Sequence, residues 1–554
     1  MGVNTVEFTH SSARVKVAAG HSLLDAIVHA GVEFEFPCDG AGTCGKCRVK
    51  VAPDHRSRLN EFPHDLLNAS ERKAGFILAC QSTVHGDVRV NIGSQAPEEL
   101  RILSEGQAVT VPIDPWIAKR FDSATGQTVL TGDGFVLARE PGNTTGHLFG
   151  IAVDIGTTTL VTVLVDLHNG RELATASSLN PQARHAQDVL SRIKLGSESQ
   201  GLEMLQGQLI DELNRHVDDI ANQSGISAEH IYEAVFSGNT TMLYLAIGAD
   251  PASLGKHPYT LAFKGGEQIP AAEIGLAISP HGLVYLPPVM SAYVGADITS
   301  GILAARLTGR QGVVLFVDIG TNGEMVLSVD GRLTATSTAA GPAFEGMNIT
   351  CGMRASRGAV EYVSLSNNEA EVRTIGDDAP VGICGSGLLD IVAELAANGG
   401  VDKNGRLRPA AGLPWHALWG SEDGKPVFRI AGPVYLSQKD VRQVQLAKAA
   451  IRAGIELMLK SNGLTPAQVD KVLIAGSFGF HLRTESLIHL GLLPREFSGR
   501  VEFVGNTSRT GAQAALLNRG VRDGFQAVVR DVEVLELAKD PTFEKVFIQS
   551  LQFS

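Results

Sequence analysis

The sequence lacks several features that would place it in common protein classes. Its 554 residues contain no uninterrupted apolar run of the roughly 18 residues that a transmembrane helix needs. They contain no block of Lys and Arg, and a net charge of −12 disfavours nucleic acid and anionic membranes as partners. The N-terminus has neither the basic region nor the apolar stretch of a signal peptide. We therefore expect a cytoplasmic protein.

Cysteine is also scarce, and its distribution is uneven. Six cysteines in 554 residues cannot form a disulfide scaffold, yet four of them fall within the first 80 residues. Apolar residues make up 44% and charged residues 19% of the chain, which is typical of folded domains rather than disorder. At about 150 residues per domain, the length predicts roughly two to four domains.

The four N-terminal cysteines have the spacing of an iron–sulfur site. Cys38, Cys44 and Cys47 lie on a glycine-rich loop, and Cys80 completes the pattern C-x5-C-x2-C-x32-C. Three thiolates on a loop of small residues can wrap a cluster while backbone N–H groups face its sulfurs, and a remote fourth thiolate closes the site. The alternative is a structural zinc site, but zinc sites usually pair two C-x2-C knuckles and the second is missing here.

The residues around these cysteines fit a small α/β domain. Val6 and Phe8 alternate with polar neighbours as in a hairpin, and Ser22 begins a helix with an apolar face. Residues 4–92 resemble a [2Fe–2S] ferredoxin domain of the β-grasp type, with the cysteine spacing of the adrenodoxin type. Residues 93–148 are rich in turns and are interpreted as a linker that tethers this domain, or alternatively as a reduced middle domain.

An internal repeat is the strongest pattern in the rest of the chain. Residues 150–171 and 312–333 each form an apolar strand, then Asp-Ile-Gly-Thr, then a second strand that ends in Asp. Asp154 and Asp318 can each hold the water shell of Mg²⁺, and the Gly and Thr residues that follow can approach phosphate closely. Two such hairpins facing each other can hold a triphosphate from both sides.

A third motif follows a predicted strand near the C-terminus. Val472–Phe480 reads as an apolar strand that enters a glycine turn, which suits packing of the backbone against a flat adenosine. Before it, Ser437 can cap a long helix with apolar residues at helical spacing, and Thr465-Pro466 has the order of residues that starts another helix.

These motifs resemble those of the superfamily of acetate kinase, sugar kinases, actin and the heat-shock chaperone ATPases. The resemblance covers residues 149 to about 530 and implies a two-lobed actin-like (ribonuclease H-like) fold. The fold class is therefore α/β multidomain, with an N-terminal β-grasp ferredoxin domain. The implied domains are residues 1–92 (ferredoxin), 93–148 (linker or middle domain), 149–310 (lobe one), 311–530 (lobe two) and 531–554 (C-terminal segment).

The resemblance also implies a set of nucleotide-binding residues. Asp154 and Asp318 would orient Mg²⁺, and Glu324, Glu345 and Asp297 are candidates to position the attacking water. The phosphates and adenosine of ATP would contact Gly156, Thr157, Thr158, Thr159, Gly320, Thr321, Asn322, Gly323, Gly341, Gly476 and Ser477.

Further strings match one family over nearly the whole chain. They are Ser237–Met242, Leu286–Asp297, Ala340–Gly346, Cys351–Arg354, Cys384–Gly387 and Gln438–Lys448. With the ferredoxin and ATPase motifs they resemble the reductive activators of corrinoid proteins, which are ATP-dependent iron–sulfur enzymes serving methyltransferase systems. The connecting region departs from this family, because its best-known members carry a longer middle domain. Cys351 and Cys384 are interpreted as buried small residues rather than ligands of a second cluster.

This resemblance implies a function and its partners. The protein would use a [2Fe–2S] cluster, ATP and Mg²⁺ to reduce Co(II) to Co(I) in a corrinoid protein. It would receive electrons from an upstream low-potential donor and form a homodimer. Three alternatives stay open: an electron donor to another low-potential enzyme, a small-molecule kinase with a redox-regulatory head, and an adaptor that transfers electrons without catalysis.

Overall fold

The computed structural model describes residues 3–9, 13–32, 42, 45, 47–63, 66–67, 69–92, 111–366, 369–409, 415–476 and 482–553. The chain divides into two compact units. The first unit comprises Met1–Glu99, Gln182–Gln187 and Trp419–Phe428, and the second comprises Leu100–Pro181, Asp188–Leu418 and Arg429–Ser554. Within the described residues, no helix is both long enough and apolar enough to cross a membrane.

The first unit contains a five-stranded sheet and a short helix, as expected for a β-grasp domain. Its elements are β1 (Val3–Phe8), β2 (Arg14–Ala18), β3 (His21–Ser22), α1 (Leu23–His29), β4 (Arg48–Val51), β5 (Leu59–Glu61), α2 (Ala69–Lys73), β6 (Phe76–Leu78), β7 (Ser82–Val84) and β8 (Val88–Asn91). The sheet order is β2-β1-β8-β4-β6. The predicted hairpin is confirmed as antiparallel β1–β2, and the Ser22 side chain caps α1 by accepting from Asp25 N.

The described part of the connecting segment is folded. It forms an antiparallel three-stranded sheet of β9 (Ile117–Asp122), β10 (Gln127–Gly132) and β11 (Phe135–Pro141). Ile117 and Leu130 are buried in one core with Ala152 and Val163 of the adjacent lobe. The tether interpretation therefore does not apply to residues 111–148, because their apolar side chains are used in tertiary packing. Residues 93–110 lie outside the described part.

The first lobe is built on a six-stranded sheet. Its elements are β12 (Phe149–Ile155), β13 (Thr159–Asp166), β14 (Glu172–Leu179), α3 (Val189–Gly196), α4 (Ser199–Ser224), β15 (Ile231–Gly238), α5 (Thr240–Ala246), β16 (Glu267–Pro270), β17 (Leu283–Leu286) and α6 (Ala296–Ala304). The sheet order is β14-β13-β12-β15-β17-β16. Helices α4 and α5 cover one face of it.

The chain from residue 313 onward carries the second lobe. Its strands are β18 (Val313–Ile319), β19 (Gly323–Val329), β20 (Arg332–Thr338), β21 (Ala359–Ser366), β22 (Glu369–Thr374), β23 (Gly382–Ile383), β26 (Val434–Ser437), β27 (Lys471–Ala475), β28 (Val501–Gly505) and β29 (Glu533–Val534). Its helices are α7 (Gly385–Ala397), α8 (Gln438–Ser461), α9 (Thr484–His489), α10 (Thr507–Leu517), α11 (Gly520–Asp531) and α12 (Phe543–Ser550). Strand β24 (Trp419–Glu422) and the first residues of β25 (Lys425–Ala431) belong to the first unit.

The two lobes share one topology. In lobe two the sheet order is β28-β27-β18-β19-β20-β29, so the order β14-β13-β12-β15-β17 of lobe one is repeated as β20-β19-β18-β27-β28. In each sheet the first three strands in the chain pair antiparallel, as β12–β13–β14 and β18–β19–β20. The next two strands of the repeat, β15 and β17 or β27 and β28, run parallel to β12 or β18. The repeat read from the sequence is therefore a duplicated fold.

Two helices are exchanged between the lobes. Helix α6 follows lobe one in the chain, but Ile298 and Ile302 pack with Phe316 of the lobe-two sheet. Helix α10 follows lobe two, but Ala512 and Leu516 pack on the lobe-one sheet. Each lobe thus needs a helix from the other half of the sequence to complete its core.

The helices predicted near the C-terminus are partly confirmed. Ser437 caps α8 in a reciprocal capping box with Asp440. The Thr465-Pro466 start gives only a 3-10 turn, Pro466–Gln468, because the chain enters β27 five residues after Pro466. The C-terminal segment belongs to lobe two, since β29 pairs with β20.

Candidate functional site

The first candidate site is the pair of thiols that the structure describes in the ferredoxin unit. Cys47 Sγ lies 3.2 Å from Cys80 Sγ. Cys47 precedes β4 and is buried in the core, whereas Cys80 follows β6 and is partly exposed. Residues separated by a long loop thus bring their sulfurs to one point. Cys38 and Cys44 lie outside the described residues.

The surroundings of Cys80 suit a metal-bound thiolate. The neighbouring Cys47 thiol lowers the pKa of Cys80 to about 6, helped by hydrogen bonds from the Gln81 side chain and the Gly42 backbone and opposed by burial. Gly42 has φ +70°, and a Cβ there would lie 2.2 Å from Gln81 Nε2. A low thiol pKa and a backbone donor facing sulfur are the features that an iron–sulfur ligand needs, so the described residues fit the cluster.

The second candidate site is formed by the two Asp-Ile-Gly-Thr hairpins. In lobe one, Gly156 N donates to Thr159 O at 2.9 Å, and in lobe two Gly320 N donates to Asn322 O at 2.9 Å. A Cβ on Gly156 would lie 2.6 Å from Thr159 O, so that turn requires glycine. A Cβ on Gly320 would meet nothing nearer than 3.7 Å, so this glycine leaves open space beside the loop.

Glu345 joins the two loops. Its Oε2 accepts a hydrogen bond from Thr158 Oγ1, and its Oε1 accepts one from Thr321 Oγ1 at 2.6 Å. The two threonine hydroxyls are 3.3 Å apart. Gly341 N donates to Thr321 O at 2.8 Å, which ties the turn that carries Glu345 to the same loop. One carboxylate therefore receives the hydroxyl donors of both halves of the repeat.

Asp154 is held by the start of α10. Asn506 Nδ2 donates to Asp154 Oδ2 at 2.8 Å, and Ser508 Oγ donates to Oδ1 at 2.7 Å. Asn506 is also the N-cap of α10, since its side chain accepts from Arg509 N. Burial raises the pKa of Asp154, while the hydrogen bonds from Ser508 and Asn506 oppose this rise. The carboxylate is therefore oriented before any ligand binds.

Three more carboxyl groups lie close enough to interact with one another. Burial raises the pKa of Asp318 to about 8, and Asp297 and Asp154 add to the rise. Burial likewise raises the pKa of Asp297 to about 7, with Asp154 contributing. Burial and the charges of Asp297 and Asp318 raise the pKa of Glu324 well above its ordinary value. Because like charges in a low-dielectric site repel, this cluster favours a bound cation.

These carboxyl groups suit a hydrated magnesium ion. In the described part of the chain, no three His, Cys, Asp or Glu side chains come together as ligands of one ion. Mg²⁺ usually keeps several waters and is bound through one or two carboxylates plus phosphate oxygens. Asp154 and Asp318 occupy matching positions near the ends of β12 and β18 and can fill that role.

Gly476 stands directly behind the lobe-two loop. It has φ +117°, and a Cβ there would lie 2.5 Å from Ile319 O and 3.1 Å from Asp318 Oδ1. Gly238 holds the matching position in lobe one, where a Cβ would lie 2.6 Å from Ile155 O. The strands that pair in parallel with β12 and β18 are β15 and β27, and each has a glycine at or directly after its end that packs on the hairpin. Ser477 lies outside the described residues.

The remaining predicted residues lie on or beside these loops. Thr157 Oγ1 accepts from Asn239 Nδ2 at 3.0 Å, and the Asn322 side chain hydrogen-bonds Glu324. Gly323 starts β19 where a Cβ would lie 2.8 Å from Ile451 Cγ1. The structure therefore brings together all the described residues of the predicted nucleotide site.

Several residues of this site were missed from the sequence. Asn180 Nδ2 donates to Gly156 O at 2.9 Å, and Arg192 Nη2 donates to Thr157 O at 2.5 Å. Asn506 and Ser508 hold Asp154 across more than 350 positions. Asn239 lies in the Ser237–Met242 string that resembles the family, so the sequence carries a signal for its role. The others belong to no local motif and are recognisable only once the chain is folded.

The two remaining cysteines, Cys351 and Cys384, differ in burial. Cys384 is buried, its thiol donates to Val360 O at 3.3 Å, and burial raises its pKa. Cys351 Sγ lies 4.0 Å from Pro433 O and the residue is partly exposed, so the interpretation of Cys351 as a buried residue is wrong. A raised thiol pKa disfavours the thiolate that a cluster requires, which agrees with the interpretation of Cys384 as a buried small residue.

Protein-family models match three parts of the chain. Residues 7–85 match the 2Fe-2S iron-sulfur cluster binding domain. Residues 149–310 match the RACo middle region, and residues 312–554 match the C-terminal domain of RACo, the ASKHA domain. The chain thus carries a [2Fe–2S] domain and an ASKHA-type ATPase domain, and the region named "middle" in that family is lobe one.

Relatives cover almost the whole chain. The corrinoid activation enzyme RamQ of Eubacterium limosum is 30% identical over 570 residues, covering 96% of this chain and 95% of the relative. The [Co(II) methylated amine-specific corrinoid protein] reductase of Methanosarcina barkeri is 24% identical over 440 residues, covering 73% and 77%. A solved structure, the reductive activator for corrinoid, iron-sulfur protein, matches with TM-score 0.74 and 31% identity.

That structural match covers 99% of this chain and 98% of the solved one. The expectation that a longer middle domain is missing is therefore wrong for this relative, because the two chains align nearly end to end. With duplicated phosphate loops, a cluster-type thiol pair and relatives that span its length, the chain belongs to the family of reductive activators of corrinoid proteins.

Proposed function

We propose that this protein reduces the corrinoid of a methyltransferase-system protein from Co(II) to Co(I), using ATP. The observation that carries the proposal is the combination in one chain of the Cys47–Cys80 thiol pair with two phosphate loops joined at Glu345. The [2Fe–2S] group, when bound, supplies one electron to the partner's cobalt. An upstream low-potential donor replaces that electron.

The predicted residues receive the following roles. Cys38, Cys44, Cys47 and Cys80 hold the cluster. Asp154 and Asp318 orient hydrated Mg²⁺. The phosphates lie against Gly156, Thr157, Thr158, Thr159, Gly320, Thr321, Asn322, Gly323 and Gly341, and adenosine lies against Gly476 and Ser477. These roles are supported by the turns, the open space at Gly320 and the hydroxyl donors described above.

Among the three candidates for positioning the attacking water, Glu345 is the best placed. It already accepts hydroxyl hydrogen bonds from both loops, where a terminal phosphate would be held. Glu324 accepts from Ser337 and lies beside the charges of Asp297 and Asp318, which suits it to the cation rather than to the hydroxyls of both loops. Asp297 interacts electrostatically with Asp154 and Asp318, the proposed Mg²⁺ residues, so it is better suited to contact the water shell of the cation.

ATP is needed because the electron transfer runs uphill. A plant-type [2Fe–2S] centre has a reduction potential of about −400 mV, and reduction of Co(II) to Co(I) requires a lower potential. For one electron, each 100 mV of that difference costs about 2.3 kcal/mol, from ~59 mV per factor of ten. ATP can drive such a step only if it binds one arrangement of the two lobes more tightly than the other. The favoured arrangement must in turn bind a different state of the partner protein. Glu345 and the exchanged helices α6 and α10 connect the two lobes and can respond to the nucleotide.

The test uses anaerobically reconstituted protein, a cognate Co(II) corrinoid protein and a low-potential reductant. Absorption of Co(I) is followed with and without Mg-ATP. We expect Co(I) formation that depends on ATP and is lost in Cys44→Ser and Asp318→Ala, but retained in Asp330→Asn. Asp330 is the matched control because it ends the same hairpin and has φ +50°, which Asn tolerates.

Two outcomes would redirect the proposal. Consumption of ATP without Co(I) would point to another low-potential acceptor or to a small-molecule kinase. Co(I) formation that is equal without ATP would show an electron-transfer adaptor. A homodimer, a cytoplasmic location and the identity of the electron donor stay predictions, and light scattering of the purified protein tests the first.

A further inference from the structure

Arg192 is a buried cation that none of the roles above uses. Its side chain is fully buried, with 0% exposure, on the same side of α3 as Val189 and Ile193. Arginine is almost never fully buried unless it is paired, because removing its charge from water is costly. The contacts of the guanidinium therefore indicate why the charge is there.

Those contacts lead to the lobe-one phosphate loop. Nη2 donates to Thr157 O at 2.5 Å, and Nη1 lies 3.0 Å from Met242 Sδ. Thr157 is held from its side chain as well, by Asn239 Nδ2. The backbone carbonyl that Arg192 binds belongs to the residue before Thr158, whose hydroxyl donates to Glu345. Arg192 therefore holds the turn that carries Thr158 through its backbone.

The charge of Arg192 also reaches the centre of the site. Burial lowers its pKa to about 9, and the charges of Asp188 and Glu345 oppose that change, so the guanidinium stays protonated at neutral pH. Glu345 is the carboxylate that receives both threonine hydroxyls. A phosphate group that accepted the same hydroxyls would stand in the same positive field, which is little screened at a buried position.

We propose that Arg192 is a positioning residue that makes this site favour ATP over ADP. It holds the Thr157–Thr158 turn through the Thr157 carbonyl and presents a buried positive charge to the terminal phosphate. ATP carries one more negative phosphate than ADP and gains more from that charge. The inference rests on the proposed function, in that it takes Thr158 and Thr321 as donors to the phosphates.

The experiment compares Mg-ATP and Mg-ADP binding by calorimetry on the full-length holoprotein. Arg192→Met and Arg192→Gln remove the charge, the latter keeping a donor for the Thr157 carbonyl. Arg192→Lys keeps the charge, and Lys194→Met removes a charge from the exposed side of the same helix. We expect both neutral variants to lose about tenfold in ATP affinity relative to ADP, the effect of one charge-assisted interaction of about 1.4 kcal/mol.

The preference for ATP should stay within about threefold of the native value in Arg192→Lys and Lys194→Met. Equal loss of ATP and ADP affinity in the neutral variants would overturn the proposal and leave Arg192 a purely structural anchor. Affinities for ATP and ADP that are both unchanged in the neutral variants would also overturn it. If Arg192→Met does not fold, Arg192→Gln gives the same comparison. Failure of the native protein to bind either nucleotide would instead contradict the proposed function.

Discussion

The raised pKa of Asp318 predicts that binding of Mg-ATP releases a proton. The carboxyl group has a pKa of about 8 in the folded protein, against about 3.9 for an ordinary aspartate, because it is buried beside Asp297 and Asp154. At about pH 7 it is therefore mostly protonated. A cation bound there needs the carboxylate, so the proton must leave when the cation binds.

The magnitude follows from this value. With a pKa of about 8, close to 0.9 of a proton leaves Asp318 at about pH 7 and close to 0.1 at about pH 9. The apparent dissociation constant of Mg-ATP should accordingly fall about tenfold over this range, which corresponds to about 1.4 kcal/mol. The sign is fixed because the free site binds more protons than the occupied one, so raising the pH favours binding.

Calorimetry in buffers of different ionisation enthalpy counts the protons released. The variant is Asp318→Asn, and Asp330→Asn at the other end of the hairpin is its control. Protons released by ATP itself contribute equally to both, so the difference between the variants reports Asp318 together with its effect on the neighbouring carboxyl groups. The reasoning is refuted if both variants release the same number of protons at about pH 7, or if the native affinity does not rise with pH.

The same site and the ferredoxin unit give three further predictions. Cys80→Ser should abolish the visible absorption of the cluster and Co(I) formation while leaving ATP binding within about twofold, because the cysteine lies in a separate compact unit; loss of both would contradict this. Gly476→Ala should weaken ATP binding about tenfold or more in an equilibrium titration, since its Cβ would meet Ile319 O at 2.5 Å, whereas Gly463→Ala, with φ +67° and open space, should not. Glu345→Gln should lower single-turnover ATP hydrolysis about a hundredfold, because it removes the carboxylate that positions the attacking water. ATP affinity should not weaken, because that carboxylate competes with phosphate for the two threonine hydroxyls. Weaker ATP binding would assign Glu345 to nucleotide binding instead.

The stability of the native fold without a cation should fall as the pH rises. Asp318 and Asp297 have raised pKa values of about 8 and about 7, so the folded protein holds protons that the unfolded chain has already lost. Their contribution is fully present below the ordinary aspartate pKa and is lost as the pH passes through about 7 to 8. Thermal unfolding measured without Mg²⁺ should show this decline, and Mg²⁺ should reduce it.

The amino-acid sequence alone predicted the chemistry of both sites, because that chemistry depends on residue types at short spacings along the chain. The cysteine spacing gave the iron–sulfur interpretation, although Cys38 and Cys44 lie outside the described residues. The two Asp-Ile-Gly-Thr hairpins predicted a duplicated fold, and the shared strand order confirms it. Such motifs are readable because strand, turn and glycine requirements depend on a few neighbouring residues.

Tertiary structure decided how distant residues combine. The sequence could not show that α6 and α10 exchange between the lobes, that residues 111–148 pack on lobe one, or that Asn506 and Ser508 orient Asp154. It also could not select Arg192 from the other arginines, since nothing around it in the sequence marks it. These features depend on contacts between residues far apart in the chain, and their burial, which sets the pKa values of Asp297 and Asp318, exists only in the folded protein.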